Sequence, residues 1–202
     1  MTKIKLCGLT RISEIETANR LRPEYIGFVF APKSSRYLTP QKAMELKQRL
    51  NPQIKAVGVF VNEMVETVAD FLNRGLIDLA QLHGEESEEY IKQLRKFTNQ
   101  SIIKAFCIKE ERDVADAEQS TADYILLDSG AGTGRVFDWN LIQNIKKPYF
   151  LAGGLEPDNV EDAVKRLHPY AVDVSSGIET GGVKDLDKIA AFVAAVRKEE
   201  ET

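Results

Sequence analysis

The chain has 202 residues, a formal net charge of -4, 43% hydrophobic residues and 29% charged ones, a composition typical of a globular protein with one sizeable core. That charge argues against nucleic acid or an anionic membrane as partner, so an anionic small molecule would need a local site. No run approaches the roughly 18 apolar residues that span a bilayer, and MTKIKLCGLT is too short and polar for a signal peptide.

Two cysteines, Cys7 and Cys107, are too few for a disulfide framework, and no CxxC suggests structural zinc. Free thiols in the cytoplasm are the expectation.

Eight apolar, β-branched runs recur along the chain: IKLCGL, YIGFVF, AVGVFV, LAQLHG, SIIKAFCI, DYILLDS, PYFLAGGL and AVDVSSGI. Most are continuous rather than alternating, as strands covered on both faces are. Segments with helical spacing follow each one. ISEIETANRL follows the first, TPQKAMELKQRL the second, EMVETVADFLNRG the third and ESEEYIKQLRKF the fourth. ERDVADAEQS, DWNLIQNIK, PDNVEDAVKRL and DLDKIAAFVAAVRKE complete the set. Start signals are Ser13 with Glu16, Thr39 with Pro40, and Glu156 with Pro157. Gly75 marks a helix stop.

Strands alternating with helices make a parallel sheet. Eight units in 202 residues predict one single-domain (β/α)8 barrel over residues 1–202, lean beside the roughly 250 residues typical of that fold. A doubly wound dinucleotide-binding sheet is the alternative, but it would carry GxGxxG after strand one. Here strand one ends in CGLT, and the glycine cluster GAGTG follows strand six.

A barrel places its site at the C-terminal ends of its strands. The ends of strands seven and eight are glycine-rich. Gly153 and Gly154 precede a helix expected near Pro157, and Ser175, Ser176 and Gly177 precede Gly181 and Gly182. These positions suit a phosphate held by backbone N–H groups; tight turns are the bland reading. Cys7 and Asp128 end strands one and six. Alternation puts Lys5 with Cys7, and Leu126 with Asp128, on one face. If that face is the interior, thiol and carboxylate converge and could act as base and acid, with Lys5 favouring the thiolate. Alone, a strand cysteine is usually a small buried hydrophobe, and an aspartate after a strand a turn former. Arg36 in the second loop could grip a carboxylate. His83 sits at the mouth, His168 at a helix end, and Cys107 reads as core. No cluster has metal-ligand spacing.

At these residues the sequence resembles phosphoribosylanthranilate isomerases. KLCGLT, GFVFAPKSSRYLTP, QLHG, LLD with its glycine-rich stretch and FDW, AGGLEPDNV and DVSSGIETGGVKD match that family's motifs in order. Ser35 stands where the family has proline before the arginine, and Ala131 where its GGTG has the first glycine. The resemblance implies an Amadori rearrangement of N-(5'-phosphoribosyl)anthranilate to 1-(2-carboxyphenylamino)-1-deoxyribulose 5-phosphate, in the third committed stage of tryptophan biosynthesis. It implies Asp128 as general acid, Cys7 as general base and Arg36 on the anthranilate carboxylate. Lys5, Gln81, His83 and Asp173 join Arg36 in the substrate-binding set, with Gly153, Gly154, Ser176 and Gly177 on the phosphate. No metal or organic cofactor is expected, and a monomer is preferred over a homodimer. Another phosphosugar isomerase or epimerase, or a silent phosphate-binding barrel, would share the fold.

Overall fold

The computed structural model describes residues 1–130, 138–142 and 145–198. Eight parallel strands close into a barrel in sequence order. They are β1 (Lys3–Cys7), β2 (Tyr25–Val29), β3 (Lys55–Phe60), β4 (Leu79–Leu82), β5 (Ser101–Cys107), β6 (Tyr124–Asp128), β7 (Tyr149–Leu151) and β8 (Ala171–Val174). The closing pair sets Lys5 beside Asp173, and β1 against β2 sets Cys7 beside Gly27. A short hairpin, β9 (Glu179–Thr180) and β10 (Val183–Lys184), follows β8.

Among the described residues, seven helices pack outside: α1 (Ile12–Leu21), α2 (Pro40–Arg49), α3 (Val65–Asn73), α4 (Glu88–Leu94), α5 (Glu111–Gln119), α6 (Val160–Leu167) and α7 (Leu186–Arg197). The sixth expected helix, over 138–146, is represented among the described residues by a 3-10 turn, Trp139–Ile142. The GAGTG cluster of the sixth loop, with Ala131, lies mostly outside the described residues. None of the described helices is long and apolar enough to cross a membrane.

Two helix starts differ from expectation. Helix α1 begins at Ile12, and its cap is not Ser13 with Glu16. The buried Glu14 carboxylate instead accepts from the backbone N–H groups of Thr10 and Arg11, so a glutamate in the first turn supplies what a serine cap would. Helix α6 begins at Val160 rather than near Pro157. Asn159 bridges the preceding turn, accepting from Glu156 N–H and donating to the Gly154 carbonyl. Thr39 caps α2 through the Lys42 N–H, with Pro40 in the first turn, as read from the sequence.

Side-chain parity divides the core. Ile4, Leu6, Ile26, Phe28, Leu127 and Val172 join helix residues such as Ile15, Leu46, Val68 and Phe192 in one large buried cluster. The other parity, including Val57, Leu79, Leu126 and Phe150, forms a second cluster without any helix member. That second set fills the barrel's interior. Each such side chain contributes about 1.5–3 kcal/mol on burial, and the outer layer, being larger, carries most of the fold.

The interior is polar at both ends. At the N-terminal end the Lys3 ammonium donates to the Tyr170 hydroxyl at 2.7 Å and lies over its ring. Tyr170 also hydrogen-bonds the hydroxyls of Tyr25 and Tyr124. Tyr124 stacks on Tyr170, and Phe150 contacts all three tyrosine rings. This floor is closed by its own aromatic rings.

Candidate active site

The C-terminal ends of the strands surround a cavity of about 330 Å³. Cys7, Arg36, Gln81, His83, Asp128, Gly153, Gly154, Asp173 and Ser176 all line it. Of the residues expected from the sequence, two stand apart. Lys5 is fully buried beneath the cavity, its ammonium 2.9 Å from Asp173. Gly177 sits where loops seven and eight cross: a Cβ there would lie 1.9 Å from the Leu155 carbonyl oxygen. Its place is set by that crossing.

Small residues make the thiol's position possible. A Cβ on Gly27 would lie 2.6 Å from the Cys7 Sγ, so the register partner of Cys7 has to be glycine for the side chain to turn inward. The chain then leaves β1 through Gly8, whose φ of +78° is left-handed and strained for other residues. A Cβ there would also lie 2.5 Å from the Arg36 Cδ. Gly8 thus serves the exit turn and the passage of the arginine stem at once.

The ionisable groups are tightly arranged. Burial pushes the Cys7 thiol up, with Lys5 and Lys184 opposing and Asp173 adding to the rise. Lys5 does favour the thiolate and is the largest influence opposing the rise, but desolvation outweighs it. Burial would lower the Lys5 ammonium, but Asp173 and Cys7 together hold it above its ordinary value. Burial alone would raise Asp128, yet hydrogen bonding and charge from His83, with the Gly130 N–H, hold it below the ordinary carboxylate value. His83 Nε2 lies 3.5 Å from Asp128 Oδ2, and His83 Nδ1 is 2.7 Å from Gln81 Nε2. The Gln81 amide group donates to Nδ1, so the ring proton sits on Nε2 and faces the carboxylate.

Arg36 is already paired. Its Nε and Nη2 donate to Glu179 Oε1 and Oε2 at 2.6 and 2.7 Å. Lys184 donates to the same carboxylate at 2.7 Å and to Ser175. Burial would raise the Glu179 carboxyl, but these two partners override it and hold the pKa at about 2. Glu179 and Lys184 are not among the residues singled out from the sequence. The signal was present in ETGGVK, where two charges flank a glycine pair, but a tight turn explains such a pattern equally well.

In loop seven, the Gly153 and Gly154 N–H groups donate to no acceptor among the described residues. Ser175 Oγ donates to the Cys7 carbonyl, tying loop eight to the end of β1. Cys107 corrects the sequence reading. It ends β5 with the inward parity of Ile103 and Ala105, in register with Asp128, and is exposed rather than in the core because the barrel interior opens at its mouth. His168 caps α6 in a left-handed conformation, the structural place expected for it.

The chain matches the family model for N-(5'phosphoribosyl)anthranilate isomerase over residues 4–195. It is 45% identical to the N-(5'-phosphoribosyl)anthranilate isomerase of Clostridium acetobutylicum, over 98% of this chain and 99% of that one. The crystal structure of phosphoribosyl anthranilate isomerase from Thermotoga maritima superposes with a TM-score of 0.89 at 36% identity, covering 98% of this chain and all of that one. A structure of such an isomerase in complex with reduced 1-(o-carboxyphenylamino)-1-deoxyribulose 5-phosphate superposes at 0.88, with the same identity and coverage. Barrel, ordered motifs and full-length similarity agree: the chain belongs to the phosphoribosylanthranilate isomerase family and is an isomerase of tryptophan biosynthesis.

Proposed function

We propose that the chain converts N-(5'-phosphoribosyl)anthranilate to the aminoketose 1-(2-carboxyphenylamino)-1-deoxyribulose 5-phosphate, with Asp128 as general acid and Cys7 as general base. The observation that carries this reading is the convergence of Cys7 from β1 and Asp128 from β6 on one cavity. That cavity also presents an arginine for a carboxylate and free glycine amides for a phosphate. The ligand held by the solved relative has both anionic groups.

Asp128 donates a proton to the furanose oxygen as the bond from that oxygen to C1' breaks, leaving a protonated Schiff base. The Cys7 thiolate takes the C2' proton, and the electrons flow into the iminium to give an enolamine. Its tautomerisation moves a proton to C1' and leaves the ketone at C2'. The iminium is the electron sink, so the sequence balances without a further reactant. Gly153, Gly154 and Ser176 orient the phosphate, Gly177 lets loop eight pass against loop seven to place them, and Arg36 orients the anthranilate carboxylate. Gln81 fixes the His83 ring, and His83 steers the acid. Lys5 and Asp173 brace the cavity's base.

The shifts described above make the resting pair a thiol and a carboxylate. The working pair, a thiolate and a carboxylic acid, contains the same number of protons. Moving one proton from Cys7 to Asp128 produces it with no change in net charge. Each pK unit separating the two groups costs about 1.4 kcal/mol in that transfer, so Lys5 and Lys184 help by lowering the thiol's side of the gap.

The test is turnover of phosphoribosylanthranilate by purified protein, which should proceed with chelator present. Cys7→Ser and Asp128→Asn should each reduce kcat by about 10²–10⁴-fold, the usual contribution of a general acid–base step. Both should still bind a reduced product analogue. Near-full kcat in either variant would remove that residue from its role.

A further inference from the structure

We infer that Glu179 is a positioning residue that holds Arg36 by the Nε–Nη2 edge of its guanidinium so that the end-on Nη1–Nη2 edge is presented to the substrate carboxylate. This rests on the proposed role of Arg36.

The argument is an account of donors. A guanidinium has five N–H groups in a fixed plane. Glu179 takes the Nε proton and one Nη2 proton as a bidentate pair. The end-on edge has one proton on Nη1 and one on Nη2, and neither these nor the second Nη1 proton makes a hydrogen bond among the described residues. That edge belongs to a side chain lining the cavity, and it has the two parallel donors that a second carboxylate needs.

The brace itself is anchored. Glu179 begins the β9–β10 hairpin, and Lys184, from the facing strand, donates to its Oε1. The Lys184 ammonium is spent on Glu179, the Ser175 carbonyl and the Ser175 hydroxyl, so all three of its donors are used within the protein. Lys184 is therefore an anchor for the brace rather than a second grip on ligand. From the other side the arginine stem lies against Gly8, next in the chain to Cys7. The guanidinium is fixed from two directions beside the proposed base. Such a place suits an ortho-carboxylate, which stands only a few bonds from the carbon that loses its proton.

The alternative is that Glu179 merely occupies Arg36 and must be displaced by substrate. The two readings predict opposite results. A brace predicts that Glu179→Gln raises KM for phosphoribosylanthranilate about tenfold, with kcat within about threefold of wild type. A competitor predicts that KM falls. The decisive readout is a paired substrate, N-(5'-phosphoribosyl)aniline, which lacks the carboxylate. Its kcat/KM should be the same for wild type and Glu179→Gln, because Arg36 has nothing to grip. Lys184→Met also removes a charge that lowers the Cys7 thiol, so it should lose activity on both substrates but more on the anthranilate one, and that difference serves if Glu179→Gln does not fold. Equal losses on both substrates, no loss on either, or a lower KM would overturn the inference. Arg36→Ala is the control: if it too fails to distinguish the substrates, the role of Arg36 falls with it. If Arg36→Ala discriminates and the brace variants do not, only the brace is wrong.

Discussion

The two ends of the barrel are built from the same strands and come out as opposites. At the floor, Lys3, Tyr25, Tyr124 and Tyr170 satisfy one another, and the rings leave no room. At the mouth, Cys7, Gln81, Asp128 and Asp173 come from the other ends of these strands and their neighbours, but glycines and small side chains separate them. Gly27, Val29, Val59, Ala152 and Gly153 occupy places where the floor has aromatics. Some polar groups there also lack partners within the protein: Gln81 Oε1 is buried without a hydrogen bond among the described residues. A closed polar network stabilises. An open one, held rigid by an outer hydrophobic layer, is ready to complete its hydrogen bonds with a ligand. The difference lies in the volume of neighbouring side chains, not in polarity.

This contrast can be broken at either end. The largest effect should come from filling the mouth. Gly27→Ala puts a methyl group 2.6 Å from the Cys7 sulfur and displaces the thiol without touching a reacting group. Since a misplacement of about 1 Å can cost 10²-fold, kcat should fall by roughly one to two orders of magnitude while the fold survives. Unchanged kcat would show that Cys7 tolerates movement and weaken its role.

The pH profile sharpens the mouth further. Asp128 is held below its ordinary 3.8 and Cys7 above its ordinary 9.0. Activity needs one proton across the pair, so kcat/KM should lose a tenfold per unit only where that proton count changes. The alkaline limb therefore belongs above pH 9, where the thiol of the free protein ionises. On the acid side Asp128 should impose no limb down to about pH 5, once the substrate's own phosphate ionisation, near pH 6, is accounted for. An alkaline limb near pH 7 would assign the titration to some other group.

A smaller effect, of the other kind, is expected at the floor. Tyr170→Phe removes the hydroxyl that Lys3, Tyr25 and Tyr124 share. Stability should fall by about 1–3 kcal/mol, and Tm by a few degrees, with kcat/KM within about twofold of wild type. A large loss of activity at unchanged Tm would mean that the two ends are coupled. The smallest effect is expected at Cys107, which is exposed at the end of β5. Cys107→Ser should leave stability within about 0.5 kcal/mol and turnover unchanged, in contrast with Cys7→Ser. Thermal melts and steady-state assays on the two serine variants would check this directly.

Much of this was legible in the sequence. Eight apolar runs of strand length, each followed by helical spacing, determine a closed parallel barrel, because strands covered on both faces must be apolar on both. The barrel in turn determines that residues after each strand share one face, which is why Cys7, Asp128, His83 and the glycines of the last two loops could be grouped without coordinates. In the sixth helical segment, 138–146, the described residues show a 3-10 turn at Trp139–Ile142, which apolar spacing does not distinguish from the start of an α-helix. What only the tertiary structure decided are relations between distant residues. No local pattern shows that Gly27 must be small for Cys7, that the stem of Arg36 crosses Gly8, or that Lys5 pairs with Asp173. The pairing of Arg36 with Glu179 spans 143 residues, and it occupies one edge of the guanidinium. Sequence fixes which groups arrive at the mouth through periodicity, which is a local property. How they are oriented and ionised depends on through-space distance and desolvation, which exist only once the barrel has closed.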